Sequence, residues 1–245
     1  MKLPLIFIVG PTAIGKSALA IKIAKKLNGE VINADSIQVY SNLSILTARP
    51  SEKDHKTIPH HLYGYVNGSV RHNVASWCND ITKIINKNNK KNIYSIIVGG
   101  TGMYIDKLLN GLIQMPSIPE KIKKESEKLL FKIGIDKFIE KIKTIDELAL
   151  NNISKNDISR LRRIWEVYTY TNKPFTYWLG NKNQKYLTNM KYKLYLFIPN
   201  REEIYNRVNK RFIKMIDNGA IEEVKKLNSL NFDKSLPVMR AHGVP

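Results

Sequence analysis

The chain contains a single cysteine, Cys78, among 245 residues. That excludes an intramolecular disulfide and a paired-thiolate metal site, fits a reducing cytoplasm, and leaves Cys78 as a small buried side chain. No apolar run approaches the roughly 18 residues that a membrane-spanning helix needs. The first such run, "LPLIFIVG" at 3–10, is too short and leads into a glycine-rich loop, which makes it a strand and neither a signal peptide nor a membrane span. The sequence therefore predicts a soluble protein with no membrane partner. Acidic residues are scarce: 21 Asp and Glu face 40 Lys and Arg, a formal charge of +19. A surplus of that size favours a polyanionic partner such as nucleic acid. Asn and Ile are also abundant, and a base-biased genome enriches Lys, Asn and Ile together. Clustered arginines thus carry more of the inference than scattered lysines. Low-complexity sequence is limited to "NKNNKKN" at 86–92, there is no internal repeat, and an apolar fraction of 43% argues against disorder.

What is present is an alternation of strand-like and helical segments. Apolar runs at 5–10, 31–35, 94–100 and 193–199 are separated by helical patterns, which predicts an α/β fold with a parallel sheet covered by helices on both faces. Between 117 and 188 the character changes to lysine-rich helical segments without a convincing strand. The expected organisation is a P-loop α/β core from 1–116 and 189–245, interrupted by a helical insertion domain at 117–188. After Arg201 a long amphipathic pattern predicts two helices divided near Asn218 and Gly219. The ending "VMRAHGVP", with no final helix, reads as unfinished.

Five clusters could do chemistry. "GPTAIGKS" matches G-x-x-x-x-G-K-[ST] between a strand and a helix, so Gly10, Pro11, Thr12, Ala13, Ile14, Gly15, Lys16 and Ser17 are expected to cradle a pair of phosphates. Lys16 would neutralise phosphate oxygens and Ser17 would hold Mg²⁺. Asp35 in "NADSIQVY" falls at the end of the second strand, where open α/β sheets gather ligands. A carboxylate there can take a proton from a nucleophile, or merely cap a loop. In "VGGTGMY" the third strand ends in Gly99, Gly100 and Thr101, where a nucleotide hydrolase usually carries an acid for Mg²⁺. The missing carboxylate counts against an ATPase. In "SRLRRIWEVY" the apolar stripe is Leu161, Ile164, Trp165 and Tyr168, which leaves Arg160, Arg162 and Arg163 as three exposed guanidiniums suited to nucleic-acid phosphates. Finally, Val208, Phe212 and Met215 form an expected buried stripe, with Arg207 and Arg211 four apart on another face, a pair that could clamp a diphosphate or simply be surface charge.

With "IPHHLYG", "RVNKRFIKMIDNGAIEEV" and "PVMRAHGV" added to these motifs, in order along the whole chain, the sequence resembles the bacterial tRNA dimethylallyltransferases, also called tRNA isopentenyltransferases. The resemblance implies that the loop holds the diphosphate of dimethylallyl diphosphate, although the motif invites an ATP-binding, nucleotide-binding label. It implies that Thr12, Lys16 and Ser17 contact diphosphate and Mg²⁺, that Asp35 is the general base, and that Thr101 and Arg211 flank the reacting centre. Catalysis is thus expected from Asp35, Thr101, Arg211 and Lys16. Contacts to the tRNA anticodon stem-loop are implied for Asp35, Ser36, Ile37, Gln38, Thr101, Lys123, Ser159, Arg160, Leu161, Arg162 and Arg163. The insertion matches the family's extra domain, the acceptor is N6 of the adenosine 3′ of the anticodon, the expected state is a monomer, and family members continue beyond "RAHGV" with further helices. Two other readings stand beside this one. One is a small-molecule kinase of the same loop class; the other is a tRNA-binding homologue without catalysis.

Overall fold

The computed structural model describes residues 2–151 and 153–245. It runs β1 (Leu5–Val9), α1 (Lys16–Leu27), β2 (Gly29–Asn33), α2 (Glu52–Thr57), β3 (His60–His61), α3 (Val74–Lys90), β4 (Tyr94–Gly99) and α4 (Gly102–Asn110). There follow β5 (Leu112–Ile113), α5 (Glu120–Asp146), α6 (Ile158–Thr171), α7 (Phe175–Leu179), β6 (Asn183–Gln184), β7 (Tyr192–Leu196), α8 (Arg201–Asp217) and α9 (Ala220–Asn228). The chain divides into two compact units: residues up to Asn110 together with Lys185–Pro245, and Gly111–Gln184.

The larger unit is built on a parallel sheet in the order β3-β2-β4-β1-β7. The period-2 alternation of β1 decides its two faces. Ile6 and Ile8 pack with Ala20 and Ala24 of α1, whereas Leu5 and Phe7 join Trp77, Cys78 and Ile81 of α3 and Tyr104 and Leu108 of α4. α3 presents its apolar stripe Trp77, Ile81 and Ile85 inward from an N-cap at Asn73, whose side chain accepts from Ser76 N–H. Cys78 is buried within this layer, as its isolation in the sequence suggested. Burial in those apolar surroundings pushes its thiol up to about 12, so it stays protonated.

Two strands differ from expectation. β2 ends at Asn33, two residues early, because the Asn33 side chain turns back on the chain: its Oδ1 accepts from Asp35 N–H at 2.9 Å and its Nδ2 donates to Asp35 O at 2.9 Å. β7 lies at the sheet edge, and all five of its residues are exposed, so the sheet is not covered on both faces along its whole width. The two helices expected after Arg201 are present as α8 and α9, separated at Gly219, whose φ of 92° no helix accommodates. The stripe expected to bury α8 does not do so. Phe212 is 54% exposed and α8 has no buried residue.

The smaller unit is α-helical apart from the antiparallel pair β5–β6, in which Leu112 faces Gln184. Two-residue strands carry no periodic signal, which is why the sequence places the boundaries at 117 and 188 and the structure at 111 and 184. α5, broken at Gly134, packs Phe138 and Ile142 against Leu161 and Ile164 of α6. The buried Asp146 carboxylate accepts from Ala149 N–H, Thr176 N–H and Thr176 Oγ, tying the end of α5 to α7.

Candidate active site

Every strand that contributes to the site does so at its C-terminal end. The loop after β1 curls through Ala13 (φ 64°) and Gly15 (φ 89°), both left-handed, at the start of α1, the kind of backbone in which successive N–H groups can face one anion. Lys16 Nζ donates to Pro11 O at 2.6 Å, so the ammonium lies across the loop.

Beyond β2, Asp35 is fixed from both directions. Its backbone is held by the Asn33 side chain, which also donates to Leu62 O at 3.0 Å, and Asn33 O in turn accepts from the Trp77 indole at 2.9 Å. Its carboxylate Oδ1 accepts from Ile37 N–H at 2.9 Å and Gln38 N–H at 3.2 Å, which leaves Oδ2 without a partner among the described residues. One oxygen thus caps the turn while the other is left open to a ligand. Beyond β4, Thr101 Oγ accepts from Ser36 N–H at 3.0 Å, and Thr101 N–H donates to Ala34 O at 3.3 Å.

These segments line one crevice of about 510 Å³, with the phosphate loop, Asp35, Ser36, Ile37, Gln38, Tyr63, Thr101, Arg211 and His242 in its walls. An adjoining cavity of about 400 Å³ shares Thr12, Asp35, Ile37, Arg211 and His242, and is otherwise bounded largely by Leu46, Val208, Phe212, Met215 and Ala241. Val208, Phe212 and Met215 of α8 are therefore lining of this cavity, not a core stripe. Burial lowers the Lys16 pKa, with Asp35 opposing the shift and Arg211 adding to it; burial likewise lowers that of Arg211 against the pull of Asp35. Burial, then the Asp35 charge, raises the Tyr63 hydroxyl. Two partly desolvated cations facing one carboxylate, beside an apolar hollow, can take an anionic head and an apolar tail and move a proton where the two meet.

Of the residues expected here from sequence, Gly10 to Ser17, Asp35 to Gln38, Thr101 and Arg211 share the crevice. Arg207 does not line it and pairs with Glu203 at 3.7 Å, so the expected arginine clamp reduces to Arg211. Tyr63 and His242 lay in recognised motifs without an assigned role, and Leu46 in a segment with no motif.

Lys123, Ser159, Arg160, Leu161, Arg162 and Arg163 belong to the smaller unit. The expectation of three exposed guanidiniums does not hold. Arg162 donates from Nε to Ser126 Oγ at 2.9 Å and from Nη2 to Lys123 O at 2.7 Å, beside the buried Glu166 at 3.6 Å. Arg163 is partly buried and donates to Pro116 O at 3.0 Å. Leu161 is 1% exposed, in the core. A four-residue helical turn cannot keep three long side chains off the packed face once α5 covers its flank. Arg160 remains 70% exposed, paired with Asp157, while Ser159 is exposed and Lys123 pairs with Glu120. Arg162→Ala is expected to destabilise the smaller unit by about 2 kcal/mol, because it strands Glu166 and Ser126, whereas Arg160→Ala should leave stability within about 0.5 kcal/mol. Thermal unfolding of both variants checks this.

Residues 38–245 match the family model described as IPP transferase. The chain belongs to the IPP transferase family. The matched residues begin beyond the loop, α1, β2 and Asp35, but relatives align across all of these. The tRNA dimethylallyltransferase of Bartonella henselae is 40% identical over 97% of this chain and 81% of its own length. That of Pelagibacter ubique is 40% identical over 98% of this chain and 76% of its own length. Among solved structures, a eukaryotic dimethylallyltransferase acting on tRNA is similar with a TM-score of 0.82 at 26% identity, over 97% of this chain and 60% of that one. The tRNA isopentenylpyrophosphate transferase of Bacillus halodurans has a TM-score of 0.64 at 29% identity, over 98% of this chain and 75% of that one. The IPP transferase thus spans about three-fifths of the eukaryotic chain and a larger share of the bacterial relatives.

Proposed function

We propose that this IPP transferase is a tRNA dimethylallyltransferase, which moves a dimethylallyl group from dimethylallyl diphosphate to N6 of the adenosine 3′-adjacent to the anticodon. The observation that carries this reading is the place of Asp35, in the wall of both a cationic phosphate crevice and an apolar cavity. The diphosphate lies in the loop, against Thr12, Lys16 and the loop N–H groups; the prenyl group enters the cavity walled by Leu46 and Met215. The adenine leaves its stack and brings N6 to Asp35. The N6 lone pair attacks the allylic carbon, the carbon–oxygen bond breaks with its electron pair leaving on the diphosphate, and Asp35 Oδ2 accepts the N6 proton. Lys16, Arg211 and the loop N–H groups hold the growing negative charge. Thr101 acts through Ser36, keeping the Asp35 turn in place.

The chain's fit to Mg²⁺ is modest but real. The described residues contain no cluster of three or more His, Cys, Asp or Glu, yet Ser17 lines the crevice, where its hydroxyl and diphosphate oxygens would together form an oxygen shell. Bound there, Mg²⁺ would supply charge neutralisation on the leaving diphosphate. The formal charge of +19 supports contacts to the tRNA anticodon stem-loop, for which the Ser36 to Gln38 turn is the candidate in the larger unit, and exposed Arg160 and Ser159 with Lys123 are the candidates in the smaller unit, each taken by itself. No helix among the described residues is long and apolar enough to cross a membrane. The kinase reading is weakened by β4, which ends at Gly99 and is followed by Gly100 and Thr101, with no acid for a nucleotide's metal.

The test is transfer of labelled dimethylallyl from its diphosphate to an unmodified anticodon stem-loop bearing that adenosine, with Mg²⁺. Label on N6, with one diphosphate released per transfer, is expected. Stem-loop binding without transfer, or ATP consumption that needs no RNA, would overturn it.

A further inference from the structure

One carboxylate outside the crevice has an unusual number of partners. Glu223, in the first turns of α9, accepts at Oε1 from Ser44 N–H (2.6 Å), Ser44 Oγ (2.8 Å) and Ile45 N–H (3.0 Å), and at Oε2 from Ile45 N–H (3.1 Å) and Leu46 N–H (2.9 Å). Three consecutive backbone N–H groups therefore converge on it, a concave anion nest whose anion is supplied by the protein itself. The turn so held is a wall of the site. Leu46 and Thr47 line the apolar cavity, and Leu46 Cδ1 packs on Gly243. Thr47 O accepts from the Gln38 side chain at 2.7 Å, which carries the same fixation back to the Asp35 turn. Burial raises the Glu223 pKa, but the hydrogen bonds from Leu46, Ile45 and Ser44 outweigh it and hold the group below the usual range, so it is ionised at neutral pH.

We propose that Glu223 is a positioning residue that fixes the Leu46–Thr47 wall of the cavity and thereby sets the length of allylic chain the enzyme accepts. The inference rests on the transferase reading. The carboxylate touches neither substrate; it acts by denying the turn other conformations. A wall pinned by five charge-assisted hydrogen bonds cannot yield to a longer chain, whereas one released from them can. An amide at this position keeps one acceptor oxygen but points an N–H₂ at donors, so a near-isosteric change unpins the turn while leaving the volume of α9 unaltered.

The experiment compares wild type, Glu223→Gln and Ser44→Ala for kcat and KM with dimethylallyl diphosphate and with geranyl diphosphate on the same stem-loop, together with affinity for inorganic diphosphate and thermal unfolding. For Glu223→Gln the KM for dimethylallyl diphosphate is expected to rise about tenfold with kcat little changed, and the geranyl-to-dimethylallyl ratio of kcat/KM to rise at least about fivefold. Affinity for inorganic diphosphate should stay within about twofold, because the phosphate loop sits on other elements. Ser44→Ala removes one hydroxyl bond and should move both quantities the same way by less; it decides the matter if Glu223→Gln does not fold. An unchanged KM and chain-length ratio in a folded variant overturns the proposal, as does an equal loss of inorganic diphosphate binding, which would mark general collapse. Absence of transfer by the wild-type protein overturns the transferase reading instead, and with it the proposal.

Discussion

Asp35→Asn is expected to slow transfer to N6 about 1,000-fold, the scale of losing a positioned general base, while leaving inorganic diphosphate binding unchanged or tighter. The asparagine is the informative replacement because of how the carboxylate is used. Oδ1 caps the turn through Ile37 and Gln38 N–H, and an amide oxygen can go on doing so; only the basic oxygen is lost. Removing a negative charge that faces Lys16 and Arg211 also leaves more of their positive field for the diphosphate. Asp35→Ala deletes cap and base together, so it should match the asparagine variant in transfer yet unfold at lower temperature, by about 1 kcal/mol of stability. Single-turnover transfer and thermal unfolding of the pair separate the two roles. Transfer by Asp35→Asn within about tenfold of wild type would falsify the base assignment.

What could be read from sequence follows a physical division. The phosphate loop and the ends of β2 and β4 were legible because a parallel sheet puts its loops at one end, so that any chemistry near Gly10, Asp35 and Thr101 had to converge. From periodicity Arg211 was legible only as one of two arginines, since helical spacing places Arg207 and Arg211 on one face without saying which of them meets the crevice; the family resemblance alone pointed to Arg211. The arginines of α6 misled for a related reason. The stripe Leu161, Ile164, Trp165 showed which face packs on the core, but a second helix on the flank, with Ser126 Oγ and Lys123 O as acceptors, claimed Arg162 as structure. Polar partners contributed by a distant segment leave no periodic trace. The same is true of Glu223: its partners are the backbone N–H groups of residues 44–46, almost 180 positions away, and a backbone donor has no sequence signature at all. The apolar cavity was hidden by an inversion of the usual rule, because Phe212 and Met215 looked like core while lining a hollow.

The second large effect is expected at a residue with no functional group. A Cβ on Gly99 would collide with Ala34 O and Ala34 C. Those are main-chain atoms at the crossing from β2 into the Asp35 turn, and they are themselves pinned: Ala34 N–H donates to Val98 O at 2.7 Å, and Ala34 O accepts from Thr101 N–H. A methyl group cannot be absorbed by a rotamer change, so Gly99→Ala must part β4 from the Asp35 turn. Overpacking of this kind costs about 1–3 kcal/mol, and more when backbone has to move. Its effect on transfer should exceed what the lost stability explains. The displaced backbone carries Asp35 on one side and Thr101 on the other, and a shift of about 1 Å in a reacting group costs about 100-fold. Gly102→Ala is the matched control, since a Cβ there meets nothing within 4 Å and Gly102 lies in the first turn of α4. That change should stabilise slightly, because alanine loses less backbone freedom in a helix. Measured side by side below the unfolding temperature of either variant, Gly99→Ala should be folded and nearly inactive. If instead it transferred at the wild-type rate, the rigid seam between β4 and the Asp35 turn could not be what aims the carboxylate.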